Sequence, residues 1–306
     1  MTVVPSGEQY EIAYRDQRAV IVEVGGGLRT YTAGGADVLD GYPPEAMSSG
    51  GRGQLLIPWP NRVNGGRWSL DGEGQQLPLT EVAAGNAIHG LVRWASWAPA
   101  EHDGAAVTMA HRLHPQPGWP GTLDLAARYA LDDDGLTVTV TARNAGGEPC
   151  PYGVGAHPYL TVGTPRVDAA SLELPAATRL VTDERGIPTA AVPVQGTRYD
   201  FRAARPIGDD VLDTGFTDLT RDADGRVRVR LSAPDGRRGV SLWADRAFTH
   251  LMVFTGDTLA PAARRRGVAI EPMSCPPNAL ATGEGLAWLN PGERHVAQWG
   301  LHPALG

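Results

Sequence analysis

Hydrophobic and polar residues alternate one for one in several stretches of this chain. Leu136-Thr-Val-Thr-Val-Thr-Ala142 and Val227-Arg-Val-Arg-Leu231 are the clearest. A period of two sends successive side chains to opposite faces, so each run predicts a strand with one face buried. Shorter β-rich runs predict further strands over Ala19–Val24, Val107–Leu113, Leu123–Leu131, Val240–Ala244, Leu251–Thr255, Val268–Met273 and Val296–Leu301. Asp71-Gly72, Asp133-Asp134-Gly135, Asp224-Gly225 and Asp235-Gly236 supply turn chemistry between them, and the second and third lead straight into strands, as hairpin connections do. Helical periodicity is confined to short turns at Pro43–Met47 and Pro277–Ala281, and Pro115–Pro120 reads as a loop. Without an alternation of strands and helices, Rossmann and TIM-barrel folds are excluded. No repeat or linker divides the chain. The pattern predicts an all-β protein, a large antiparallel β-sandwich forming a single domain over residues 1–306.

Composition narrows the chemistry. All 27 basic residues are arginine, so a lysine Schiff base, lysine-linked pyridoxal phosphate and a P-loop lysine are all excluded. The net charge of −7 argues against a nucleic-acid partner, which calls for a concentrated basic face. The one dense basic run, Arg264–Arg266, reads as a solvated loop. Cys150 and Cys275 are too few to frame a fold and are expected as free, buried thiols. The stretch from Met1 to Gln9 has neither the basic head nor the apolar run of a secretory signal, and no segment approaches the ~20 apolar residues of a membrane span. The expectation is a cytoplasmic protein with no membrane partner.

Four loop-like segments concentrate functional side chains: Pro58-Trp-Pro-Asn-Arg62, Asn86-Ala-Ile-His-Gly90, Gly153-Val-Gly-Ala-His-Pro158 and Glu271-Pro-Met-Ser-Cys-Pro276. Small residues beside His89 and His157 let a ligand approach the backbone, and proline stiffens the second site. Glu271 stands at the end of the apolar run Val268-Ala-Ile, where a carboxylate is costly unless paired or used. Each segment alone also has a plain structural reading, as a hydrogen-bonded histidine, a solvated carboxylate or a turn. His111 and His114 are three apart, which on a strand puts their rings on opposite faces and suits one metal poorly. Neither cysteine has a zinc-type partner, and no nucleophile elbow or dinucleotide fingerprint is present. Histidine–carboxylate acid–base chemistry is what remains, with no metal and no cofactor expected.

In these segments the chain resembles the aldose 1-epimerase (galactose mutarotase) family. The matching residues run in the family order: Asn61-Arg62, His89 in Asn-Ala-Ile-His-Gly, His157 in Gly-Ala-His-Pro-Tyr, Leu212-Asp213-Thr-Gly-Phe216, and Ala269-Ile-Glu-Pro-Met273. Pro58–Arg62 with Gly65-Gly-Arg-Trp68 is similar to a bacterial branch of that family. The resemblance implies a galactose mutarotase-like supersandwich with a sugar cleft. It assigns the catalytic base to Glu271 and the catalytic acid to His157. Asn61, Arg62, His89 and Asp213 are the implied sugar-binding residues, with Asp209 and Asp210 close to Asp213 in the sequence. The implied partner is a small-molecule sugar such as glucose or galactose. A carboxylate beside His157 is expected to raise its pKa above the ordinary ~6.5. Trp59, Trp68 and Trp243 are candidates for stacking on the sugar. Two alternatives share the sandwich. One is a hexose-6-phosphate 1-epimerase, whose extra cations would be Arg67, Arg93 or Arg264–Arg266. The other is a non-catalytic sugar-binding module. Oligomeric state is not legible in the sequence.

Overall fold

The computed structural model describes residues 4–305, so the first three residues of the N-terminal stretch read above lie outside the described residues. Two large sheets dominate. The first has nine strands in the order Ala98–His102, Ala106–Leu113, Leu123–Asp132, Gly135–Asn144, Arg294–Leu305, Arg238–Ala244, Val227–Ser232, Ser171–Glu173 and Arg205–Pro206. The second, which carries the site, runs Pro188–Pro193, Ala176–Thr182, Asp213–Leu219, His250–Phe254, Val268–Met273, Gly155–Ala156 and Leu55–Leu56, with Tyr159–Leu160 also pairing Val268–Met273. Its strands pair antiparallel along this path. A four-stranded sheet covers Gln9–Asp37 and three two-stranded ribbons complete the fold.

The alternating runs became half-buried strands. Along Gly135–Asn144 every second residue from Leu136 is buried while the threonines between are partly exposed. Buried side chains from the nine-stranded sheet (Val138, Val140, Leu242) and from the site sheet (Phe216, Val253, Ile270) belong to one continuous cluster. The two sheets therefore face each other as a sandwich, each inner face contributing alternate residues.

Boundaries shifted where period-two reading is weakest. The run at Ala19–Val24 is the strand Gln17–Val22, and the C-terminal strand extends over Arg294–Leu305. Pro43–Met47 forms a turn with no helix, and Pro277–Ala281 yields a single helical turn at Ala279–Thr282. Arg264–Arg266 is not a plain solvated loop. Arg265 is buried against Asp168 and Asp257, and Arg266 reaches Asp40. Among the described residues, no helix is long and apolar enough to cross a membrane.

Candidate active site

Val268–Met273 is paired on both edges and buried at all six positions, so both of its faces are covered. Glu271 lies inside this strand, opposite Met252, and not at its end as the apolar run had suggested. The strand passes through Pro272, and Glu271 is only 2% exposed. His157 sits between Gly155–Ala156 and Tyr159–Leu160, next to that strand. Its backbone is pinned on both sides, its N–H donating to the Gln54 carbonyl and its carbonyl accepting from Gly53.

The His157 ring is 3.2 Å from Glu271, Nε2 to Oε1. It stacks on Tyr159 with centroids 5.0 Å apart and planes 11° apart. Behind Tyr159 lies the Arg52 guanidinium, 4.3 Å from the ring centroid and held by Asp40 at 2.9 Å. Gly51 packs against the ring so closely that a Cβ there would overlap it. His157 Nδ1 and Glu271 Oε2 are buried without a protein partner, an arrangement that native proteins keep rare.

His89 follows the short strand Asn86–Ile88, which pairs with Arg62–Asn64. His89 and Asn61 both adopt left-handed backbone, with φ of 63° and 57°. They are tied twice: the His89 N–H donates to the Asn61 carbonyl at 2.9 Å, and the Asn61 N–H donates to His89 Nδ1 at 3.2 Å. Because Nδ1 accepts, a neutral His89 carries its proton on Nε2 and can offer a donor. Its ring meets His157 edge-on at 5.4 Å. The Asn61 side chain accepts from the Arg62 N–H, so Asn61 organises its neighbours.

Arg62 is held by Glu81 through two bonds of 2.9 Å, from Nε and from a terminal nitrogen, and lies 3.8 Å from Asp213 Oδ2. Asp213 opens its strand and is half-exposed, whereas nearby Asp210 is taken by Arg205. Asn61, Arg62, His89, His157, Asp213 and Glu271 all line one cavity of about 370 Å³, a size typical of small-molecule sites. Larger depressions, such as one of about 760 Å³ beside Arg238, contain no histidine–carboxylate pair. His89, His157 and Glu271 also form a trio whose potential metal-ligand atoms lie within 4.8 Å of one another, a grouping their sequence spacing did not reveal.

Electrostatics departs from expectation. Burial pushes His157 down to about 3, with the charges of Arg52 and Arg93 acting in the same direction. The neighbouring carboxylate does not raise it, because enclosing the ring removes the water that would stabilise its cation. Burial drives Glu271 up, helped by Asp213 and opposed by Arg62. His89 is held low by burial and by His157. Both members of the pair thus favour their neutral forms, and the pair holds one exchangeable proton.

Trp59, Trp68 and Trp243 are buried in the core, away from this cavity. Trp94, 51% exposed, stands at the cavity instead, beside Arg93. The adjacent Arg-Trp pair just after His89-Gly90 was the available sequence signal. Gly51 and Glu81 were also missed, since their contacts with His157 and Arg62 come from distant parts of the chain, and the stacking of Tyr159 on His157 two residues away was not read from the Gly-Ala-His-Pro-Tyr motif.

The fold is an antiparallel β-sandwich whose cavity holds a buried histidine–carboxylate pair. Residues 8–302 match the family model described as aldose 1-epimerase, and the chain belongs to that family. It is 35% identical over 291 residues to the uncharacterized protein YihR of Escherichia coli (strain K12), covering 95% of this chain and 91% of YihR. It is 25% identical over 263 residues to the aldose 1-epimerase of the same organism, covering 77% and 75%. Among solved structures, a GalM/aldose epimerase homologue from C. elegans superposes with a TM-score of 0.86 at 18% identity, over 97% of this chain and 99% of that one. The galactose 1-epimerase of Lactobacillus acidophilus NCFM gives 0.76 at 21%, over 97% and 99%. These two likenesses concern the fold.

Proposed function

We propose that the protein interconverts the α and β anomers of an aldohexose bound between Glu271 and His157. The observation that carries this reading is the 3.2 Å contact between a buried carboxylate and a buried imidazole at the floor of the cavity. Mutarotation opens a cyclic hemiacetal and closes it on the other face. The O1 hydroxyl loses a proton, the C1–O5 bond breaks as C1 becomes an aldehyde, and O5 takes up a proton. One base and one acid suffice, and a pair that holds a single proton supplies both. Glu271 as carboxylate takes the O1 proton while protonated His157 donates to O5. After rotation about C1–C2 the transfers reverse, which restores the pair.

Burial opposes the charged form of this pair, so the sugar must help to create it. Arg62 favours the Glu271 carboxylate, and the O1 hydroxyl donates to it. In this reading His89 Nε2, Arg62 and Asp213, which line the same cavity, hold the remaining hydroxyls. Polarimetry of freshly dissolved α-D-glucose and α-D-galactose, with and without protein, tests the reaction. Glu271→Gln and His157→Asn are each expected to slow turnover about 10²–10⁴-fold while the protein stays folded. Near-normal rates in both variants would sink the assignment of roles.

A further inference from the structure

A histidine that moves protons is ordinarily oriented by a hydrogen bond at its second ring nitrogen. His157 lacks one, since its Nδ1 finds no partner in another residue. Its imidazole is faced by Glu271 from Val268–Met273, by His89 beyond Asn86–Ile88, by Tyr159, and by the charges of Arg52 and Arg93. Of these, only Tyr159 lies parallel to the ring and can hold its plane, with centroids 5.0 Å apart. The loop at residues 48–53 fixes both rings. Gly51 packs on the imidazole, the Gly53 N–H donates to the His157 carbonyl, and the Gly50 carbonyl accepts from the Tyr159 hydroxyl at 2.6 Å. Arg52, in the same loop, sets its guanidinium 4.3 Å from the Tyr159 centroid.

The carboxylate that holds Arg52 is buried as well. The Asp40 side chain is only 4% exposed and is shared by two arginines, Arg52 at 2.9 Å from Oδ2 and Arg266 at 2.8 Å from Oδ1. The Asp40 N–H donates to the Tyr159 carbonyl at 2.9 Å, and a Cβ on Gly267 would overlap the Asp40 side chain. Buried ion pairs add little net stability, and apolar replacements of similar volume are often neutral or stabilising. Stability alone therefore gives this pair little reason to lie here. A cation fixed over Tyr159 does more, because it pins the ring on which His157 rests. Asp40, Arg52 and Tyr159 do not line the cavity, so a sugar bound there meets none of them. We propose that Asp40 and Arg52 are positioning residues that clamp Tyr159, and that the clamped ring holds the plane of the His157 imidazole against Glu271. This inference rests on the mutarotase reading and adds to it the means by which His157 is oriented.

The test combines rates with the state of the ring, near-UV circular dichroism confirming the fold of each variant. Arg52→Met removes the cation and keeps a long side chain. For whichever of glucose and galactose the wild type turns over faster, kcat should fall about 10²-fold, the cost of a misplacement of about 1 Å. KM should stay nearly unchanged, because the clamp does not line the cavity. Asp40→Asn should act in the same direction. Tyr159→Phe keeps the stacked ring and should retain most of the rate, whereas Tyr159→Leu removes it and should lose the rate as Arg52→Met does. NMR of protein carrying isotope-labelled histidine identifies the His157 ring by its loss in His157→Asn. In Arg52→Met its titration should move to higher pH, since a neighbouring cation opposes protonation of the ring. Wild-type kcat in folded Arg52→Met, a loss expressed in KM instead of kcat, an unmoved His157 titration, or Tyr159→Phe as slow as Tyr159→Leu would each overturn the proposal and leave the mutarotase reading standing. If Arg52→Met does not fold, the two Tyr159 variants decide. Failure of the wild type to accelerate either sugar would remove the mutarotase reading, and the NMR comparison would still show whether Arg52 sets the His157 ring.

Discussion

Single atoms decide the state of the site. Gly51 has a φ of +81°, and a Cβ on it would overlap the His157 ring. Gly51→Ala therefore forces the imidazole away from Glu271. A displacement of about 1 Å is enough to cost about 10²-fold in rate, so kcat should fall by roughly that factor. Gly236→Ala is the control, since Gly236 also has positive φ but open space around it. It shares the backbone strain of about 1–2 kcal/mol and should lower the melting temperature without slowing turnover. Equal kinetic losses in both variants would show that strain alone was being measured. The pH profile belongs to the same scale. In the proposed mechanism activity needs one proton in the pair and is lost on the acid side when a second is added. Burial lowers the affinity of His157 for that proton, so the acid limb lies well below the ordinary histidine value of about 6.5. The alkaline limb marks loss of the single proton, and it lies above the ordinary glutamate value because burial raises Glu271. kcat/KM, which reports the free enzyme, should therefore show no acid limb at the ordinary histidine value. An acid-side inflection centred at about 6.5 would mean that the imidazole titrates as though in water.

Between residues and the molecule stand the short strands that carry the site. Arg62–Asn64 and Asn86–Ile88 pair over only three residues, yet they place Asn61, Arg62 and His89 together. Glu81 steadies this ribbon by holding Arg62 at two points and by accepting from Asn86. Glu81→Gln removes the charge that fixes the guanidinium. Arg62 can then swing towards Asp213, 3.8 Å away. KM is expected to rise about tenfold, the equivalent of about 1.4 kcal/mol, with a smaller effect on kcat because the Glu271–His157 pair is left in place. A loss confined to kcat would instead make Glu81 part of the proton chemistry. Elements of this kind were hard to read from the chain. Long strands such as Leu123–Asp132 announce themselves by alternation, because one face is buried and the other wet. A three-residue strand has no period to detect. Val268–Met273 has the bounds its β-rich run predicts, but a strand buried on both faces is uniformly apolar, so its one carboxylate, Glu271, reads as a terminus when it lies inside. The six residues named through their motifs line one cavity. The contacts of Glu81, Gly51, Tyr159 and Trp94 were not legible, since each depends on a neighbour the fold supplies.

At the scale of the molecule, the same close packing that encloses Glu271 and His157 encloses both thiols. Cys150 lies in the strand Cys150–Tyr152 paired with Ala287–Leu289, and Cys275 lies two residues beyond the strand that carries Glu271. Both are free and buried, as composition had suggested, and burial pushes each thiol up to about 12. Gly121 packs against the Cys150 sulfur and Gly153 against that of Cys275, each too close to admit even a methyl group. A thiol reagent cannot reach either sulfur without opening the surrounding structure, and a protonated thiol reacts poorly in any case. Native protein should therefore label only as fast as it opens. A bound sugar stabilises the closed state by RT ln(1 + [L]/Kd). If opening of the site sheet exposes Cys275 separately from Cys150, sugar will slow Cys275 by that factor and leave Cys150 unchanged. If the sandwich opens only as a whole, both will slow together. Labelling followed by peptide mass spectrometry, with and without sugar, separates these cases. Rapid modification of either cysteine under native conditions would contradict the packing that holds His157 against Glu271 in the same core.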